Sequence, residues 1–261
     1  MENKKIDRVV LKLGGSSLQD PSALKEVIES IRGYLRYEYQ VIVVHGGGPA
    51  INAELTKQNI SWKFIDGQRQ TTLQMISVIE DVLVNQVNFD LVSQLNRAQI
   101  KAVGLSGAKN NTLKCSQFSA ELQFVGTVED VNTFEIENIL NEDILNIPVI
   151  APIGVDEDGN KYNINADWAA AKIAIAINAK KLIFLTDQNG ILDKSGLLIE
   201  DASLSFLNDL IENKTVTGGM YTKVLTIQNA LKHGVPQVRV LNGKNSVDGL
   251  WSNFIGTMMH V

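Results

Sequence analysis

One cysteine, three histidines and five prolines are spread over 261 residues, and each scarcity excludes something. The single thiol, Cys115, cannot close a disulfide within the chain or supply a multi-cysteine zinc framework. His45, His233 and His260 lie far apart in sequence, which disfavours a histidine metal site or a Ser-His-Asp triad. No apolar run reaches the ~18 residues of a membrane span. The leading residues, MENKKIDR, are charged and have no apolar signal core behind them, so a cytoplasmic protein without a membrane partner is expected. Positive charge is not in excess: Lys+Arg is 24 against Asp+Glu 29, a net −5. That balance carries no generic nucleic-acid footprint, and any anion must be held by local groups. The fingerprints G-x-x-x-x-G-K-[ST] and G-x-G-x-x-G are both absent, which disfavours a P-loop or a standard dinucleotide enzyme.

What is present is ordinary globular composition, 44% hydrophobic and 20% charged, with alternating strand and helix patterns. Val9–Leu13, Gln40–Val44, Pro148–Pro152, Lys181–Thr186 and Pro236–Leu241 read as strands. Pro21–Glu38, Pro49 to about Lys57, Trp168–Ile177 and Tyr221–Lys232 read as helices. Such alternation predicts an α/β fold, a three-layer αβα sandwich around a mostly parallel sheet. Thr71–Ala98 reads as one long helix, apolar around much of its circumference. It is either a central core helix or one that also meets a second subunit. Asp156–Lys161 reads as a hairpin tip, and Asp201–Asn213 as a polar helix. The shift from apolar strand to polar hairpin places a lobe boundary near residue 165.

The residues suited to chemistry cluster at turns. Lys12-Leu13-Gly14-Gly15 puts a cation and two glycines at the end of a strand, where backbone N–H groups can approach a phosphate. Gly46-Gly47-Gly48 repeats the arrangement ahead of a helix N-terminus. Asp167 precedes an Ala-rich helix, as either its cap or a functional carboxylate. Lys223 sits early in a helix, where a cation opposes the dipole unless an anion is bound.

Eight segments occur in the order that resembles the N-acetylglutamate kinases of the amino acid kinase family. They are Lys12-Leu13-Gly14-Gly15, His45-Gly46-Gly47-Gly48, Asp66-Gly67-Gln68-Arg69, Val103-Gly104-Leu105-Ser106-Gly107, Asn163-Ile164-Asn165-Ala166-Asp167, Leu185 through Leu192, Gly219-Met220-Tyr221-Thr222-Lys223 and Gly256-Thr257. The resemblance implies an amino acid kinase-like fold, with residues 1–165 binding the acyl-amino acid and dimerising and residues 166–261 binding ATP with Mg2+. It implies catalytic roles for Lys12 and Lys223 at the transferring phosphoryl group, with Asp167 holding both. It implies that Gly46, Gly47, Arg69 and Asn163 bind substrate, the last two clamping the carboxylate and acylamino groups. Gly14, Gly15, Thr186, Asp187, Gly190, Leu192 and Gly219 fall on its nucleotide side. Gly14, Gly15, Gly46 and Gly47 are all expected to donate N–H groups, and no protein metal cage is implied.

The family reads Gly-Leu-Arg-Val-Thr where Gly67-Gln68-Arg69-Gln70-Thr71 stands, which leaves the acyl group open between acetyl, succinyl and others. Another amino acid kinase, or a non-catalytic binding protein on the same fold, remain alternatives. In the family, arginine-sensitive hexamers carry an added N-terminal helix. The short charged lead here therefore suggests a homodimer without arginine inhibition, since eight helical residues span only ~12 Å.

Overall fold

Runs of β-branched apolar residues form the strands that carry the site. In a computed structural model, residues 6–245, 247 and 255–261 are described. The chain begins with β1 (Arg8–Leu13), α1 (Gly15–Gln19), α2 (Pro21–Arg36), β2 (Gln40–His45) and α3 (Gly48–Lys57). A short hairpin, β3 (Phe64–Ile65) and β4 (Gln68–Arg69), leads into α4 (Leu73–Glu80), a π-helical segment Asp81–Asn88 and α5 (Phe89–Arg97). Then come β5 (Ala102–Ser106), β6 (Leu113–Gln117), β7 (Val125–Val131), α6 (Phe134–Glu142), β8 (Ile147–Ala151), β9 (Ile153–Val155) and β10 (Lys161–Ile164). The remainder is α7 (Ala166–Ala176), β11 (Lys181–Thr186), β12 (Asp201–Ser203), α8 (Leu204–Glu212), α9 (Gly218–Lys232), β13 (Gln237–Asn242) and β14 (Thr257–His260).

Eight strands make one sheet in the order β12-β14-β13-β11-β1-β2-β8-β5. Every neighbouring pair is parallel except β13 with β14. Val9, Leu11 and Leu13 of β1 pack with α2 and α5 on one face, while Val10 packs with α6, α7, α8 and α9 on the other. This is the expected three-layer αβα sandwich. Because β1 pairs with both β2 and β11, the sheet runs unbroken past residue 165. Lys12 shares the Val10 face and stands beside Phe184 and Val44 in register. Among the described residues, no helix is long and apolar enough to cross a membrane.

Three features differ from the sequence reading. β6, β7, β9 and β10 close into a small barrel. Polar residues hide it in the sequence: Leu113 and Cys115 point inward while Lys114, Ser116 and Gln117 face solvent. Asp201–Ser203 is a strand rather than the start of a helix, and Ser203 caps α8 by accepting from the Phe206 N–H. The long helix holds two α-helical segments joined by the π segment. Its buried side is Met75, Ile79, Val82, Leu83, Leu91 and Leu95, while Leu73 and Phe89 are exposed. The hairpin tip at Asp156–Lys161 is as expected, between antiparallel β9 and β10.

Asn88 anchors the π segment. Its Nδ2 donates to Val149 O at 2.9 Å and to His45 Nε2 at 3.0 Å. His45 is fully buried, so its Nδ1–H donates to Gly46 O at 3.0 Å. Burial lowers the imidazole from 6.5 to about 4, so folding requires the neutral ring. The unfolded chain takes up this proton first as pH falls, so stability is full above 6.5 and declines toward 4. This one group accounts for about 3 kcal/mol across that window. Urea unfolding at a series of pH values is expected to show that loss in the protein and not in His45→Gln.

Candidate active site

The parallel strands β1, β2, β8 and β11 end on one edge of the sheet, where a ligand crevice is expected. The N-terminus of α7 reaches the same edge. Asn165, and not Asp167, is the cap: its side chain accepts from the N–H groups of Asp167 and Trp168. The Asp167 carboxylate is therefore free for other partners, which decides between the two readings open in the sequence.

Those partners are the two lysines. Lys12 Nζ lies 2.9 Å from Asp167 Oδ1, and Lys223 Nζ lies 2.6 Å from Oδ2. All three side chains are at least 87% buried. Burial acts to raise the Asp167 carboxyl, but the two ammonium groups overcome it and hold it well below the carboxylate range. Burial pushes the Lys223 ammonium down, with Asp167 opposing. The triad has two cations and one anion, so a net positive charge is left facing the crevice. Alanines at 169, 170, 171 and 174 let α7 lie close to the sheet, which brings Asp167 within reach of β1.

The two glycine turns meet beside this triad. A Cβ on Gly15 would stand 2.8 Å from Pro49 and 3.1 Å from Gly48 N, so the turns touch only because Gly15 has no side chain. Two of the four expected N–H donors are spent elsewhere. Gly14 donates to Leu185 O and Gly46 to Leu13 O, each at 2.9 Å, because the ladder hydrogen bonding continues past the strand ends. Gly48 begins α3, so its N–H lacks an intrahelical partner. Gly15 and Gly47 likewise have no backbone acceptor among the described residues. The amide cluster is therefore Gly15, Gly47 and Gly48.

Arg69, Asn163, Gly46 and Gly47 line one pocket of about 170 Å³, together with Phe64, Gln68, Val125 and Pro152. Arg69 is 6% exposed, yet among the described residues no carboxylate pairs with it. Its Nη1 is buried without a hydrogen-bond partner. Asn163 Nδ2 donates to Thr71 Oγ1 at 3.1 Å, and Thr71 Oγ1 donates to Arg69 O at 3.0 Å. These bonds leave the Asn163 carbonyl to accept from a ligand.

A larger cleft of about 540 Å³ adjoins the triad. Thr186, Asp187, Gly190, Leu192 and Gly219 line it, with Asp167 and Lys223 at its inner end. Gly14 and Gly15 are not among its walls. Gly190 packs tightly: a Cβ there would stand 2.5 Å from Leu198 and 2.7 Å from Thr257 Oγ1. Gly219, in the first turn of α9, borders open space. Gln188, inside the segment through Leu192 that the resemblance puts in the nucleotide pocket, also lines the cleft, as do Thr215, Thr217 and Met220, to which the sequence reading gave no role. Asn52 and Trp62 were also passed over, although Trp62, Phe64 and Arg69 fall just before and after the Gly67 turn.

The model of the amino acid kinase family matches residues 7–242. The chain belongs to that family. An acetylglutamate kinase of Bacillus cereus is 40% identical over 251 residues, 96% of each chain. An acetylglutamate kinase of a Hydrogenobaculum species is 41% identical over 243 residues, 90% of this chain and 84% of that one. A structure from Streptococcus mutans superposes with TM-score 0.83 at 26% identity, covering 97% of this chain and 98% of that one. Carbamate kinase of Giardia lamblia bound to AMP-PNP, at 15% identity, shares the fold with TM-score 0.69 over 98% of this chain and 99% of that one. The family match places the paired pockets and the lysine–aspartate triad in a chain of kinase type.

Removing the carboxylate would leave two buried ammonium groups facing each other. Asp167→Asn is expected to destabilise the fold by about 3 kcal/mol, read by urea unfolding at neutral pH. The contribution is present above 3.8 and fades as pH falls below it, since the folded carboxyl protonates later than the unfolded one.

Proposed function

We infer that the protein transfers the γ-phosphoryl group of ATP to the side-chain carboxylate of N-acetyl-L-glutamate. The products are N-acetyl-L-glutamyl 5-phosphate and ADP, the second step of arginine biosynthesis. The relatives named acetylglutamate kinase support the substrate. The single observation that carries the mechanism is the Lys12–Asp167–Lys223 triad, with Asp167 and Lys223 in the wall of the large cleft and Ala166, next to Asp167, in the wall of the Arg69 pocket.

The reaction needs little from a base. A glutamate side-chain carboxylate is ionised at neutral pH and attacks phosphorus directly. A carboxylate oxygen forms a bond to the γ-phosphorus, the bond to the β,γ-bridging oxygen breaks, and that oxygen leaves on ADP. No proton moves. The obstacle is bringing two anions together, so catalysis is positioning and charge stabilisation. Lys12 and Lys223 stabilise the transferring group, with Asp167 fixing both. The amides of Gly15, Gly47 and Gly48, close together beside the triad, donate to the phosphoryl oxygens. Arg69 takes the carboxylate that is not phosphorylated, and Asn163 accepts from the acylamino N–H. The large cleft takes the nucleotide.

Asp167 is committed to two lysines. Magnesium brought with ATP would be held through the phosphate oxygens and would neutralise part of their charge.

Gln68 favours a second reading, in which a longer or more polar acyl group is accepted. It lines the substrate pocket. Gln70 has no such role, since its Nε2 donates to Glu121 O at 2.8 Å. A homodimer also belongs to this proposal. β5 is an edge strand of the sheet, and Val103 on it and Phe89 on the long helix are exposed apolar residues.

A coupled ADP-release assay with N-acetylglutamate, N-succinylglutamate, aspartate, glutamate and UMP is expected to favour N-acetylglutamate. Turnover restricted to another acceptor would overturn the reading. Lys12→Ala and Lys223→Ala are each expected to cost about 3–4 kcal/mol of barrier in kcat while the protein stays folded. Arg69→Ala is expected to raise KM for the acyl-amino acid far more than KM for ATP in steady-state kinetics. Light scattering should give the mass of two chains; a monomer would remove the dimer.

A further inference from the structure

Arg69 is held in an unusual way for a buried cation. A guanidinium taken out of water is normally stabilised by a carboxylate. Here the polar partner is an amide: Nη2 donates to Asn52 Oδ1. The rest of the support is aromatic. The guanidinium carbon lies 5.0 Å from the Trp62 ring centroid and 4.7 Å from that of Phe64. The two rings meet edge to face at 5.9 Å. An electron-rich ring face attracts a cation without supplying an opposite charge. Every group that fixes Arg69 is therefore neutral.

The elements make this arrangement possible. Asn52 sits on α3, directly after the Gly46-Gly47-Gly48 turn. Trp62 lies just before the β3–β4 hairpin, Phe64 begins it and Arg69 ends it. Phe64 and Arg69 pair across the hairpin. The side chain is thus fixed from two segments, and its buried Nη1 is left without a partner in the substrate pocket.

We propose that Asn52 is a positioning residue for substrate recognition, holding Arg69 in place while leaving its charge uncompensated for the substrate's carboxylate. The neutral amide is what matters. A carboxylate in the same place would hold Arg69 better and would occupy its charge. The incoming substrate would then compete with a fixed internal anion instead of meeting a free cation. Trp62 and Phe64 serve the same end, excluding water from the guanidinium faces without contributing negative charge. This inference rests on the reading of Arg69 as the carboxylate clamp.

The test is steady-state kinetics and thermal unfolding on the full chain, with N-acetylglutamate as the probe. Asn52→Asp keeps an acceptor for Nη2 and adds a charge. It is expected to leave the protein at least as stable, with kcat and KM for ATP near wild type. KM for N-acetylglutamate is expected to rise by at least roughly tenfold, the cost of losing a charged partner. Asn52→Ala is expected to raise the same constant and to lower the melting temperature. A role in folding alone makes the opposite prediction for Asn52→Asp, which restores the hydrogen bond and with it normal kinetics. Wild-type KM in Asn52→Asp would therefore overturn the proposal. Arg69→Ala separates the two levels. If it leaves KM for N-acetylglutamate unmoved, the clamp reading itself fails. If it raises KM and Asn52→Asp does not, only the role given to Asn52 fails.

Discussion

A single carboxylate organises the candidate active-site edge of this molecule. Asp167 receives Lys12 from the middle of the sheet and Lys223 from the second turn of α9, at 2.9 and 2.6 Å. An unpaired ammonium group buried there would carry a large desolvation cost, which the shared carboxylate offsets. With Asp167 between them, both ammonium groups are held together at the edge of the sheet, Lys223 in the wall of the large cleft, with one positive charge in surplus. The dependence runs outward from this point. Asn165 must cap α7 so that Asp167 need not, and the alanines behind it must be small for α7 to approach β1.

The same logic governs the Arg69 pocket with the opposite bookkeeping of charge. The triad is nearly neutralised internally and keeps one charge. Among the described residues Arg69 has no counter-charge; it is supported by Asn52, Trp62 and Phe64, none of which is charged. A kinase acting on an acidic amino acid has to bind one carboxylate while activating another toward a phosphate. Cations with graded compensation are a direct solution, and they require no histidine, thiol or metal cage.

Much of the architecture was legible in the chain because buried parallel strands are long apolar runs. Val9–Leu13, Val41–Val44 and Lys181–Thr186 announce themselves by β-branched content, and their helices by spacing and by Pro21 and Pro49. The small barrel of β6, β7, β9 and β10 was not legible. β6, β7 and β10 are partly exposed, with Lys114, Ser116 and Gln117 diluting the signal in β6, and β9 is only three residues long. The π segment at Asp81–Asn88 was also hidden, since it depends on Asn88 reaching His45 and Val149 rather than on any local preference.

The kinds of group in the site, and their order along the chain, were determined by the sequence alone. Lys12, Asp167 and Lys223 stand next to turns whose chemistry suits a phosphate, and the eight ordered segments point to one family. Tertiary structure decided which of these groups are available. It spent the Gly14 and Gly46 amides on backbone carbonyls, kept Gly15, Gly47 and Gly48 together, and put Asn165 in the capping role. It also brought Asn52 to Arg69 across seventeen residues, a pairing with no trace in composition or periodicity. The physical reason is common to all of them. A residue's type fixes what it can donate or accept, but hydrogen bonds and burial are satisfied by neighbours in space, and those are set only when the sheet and its helices have packed.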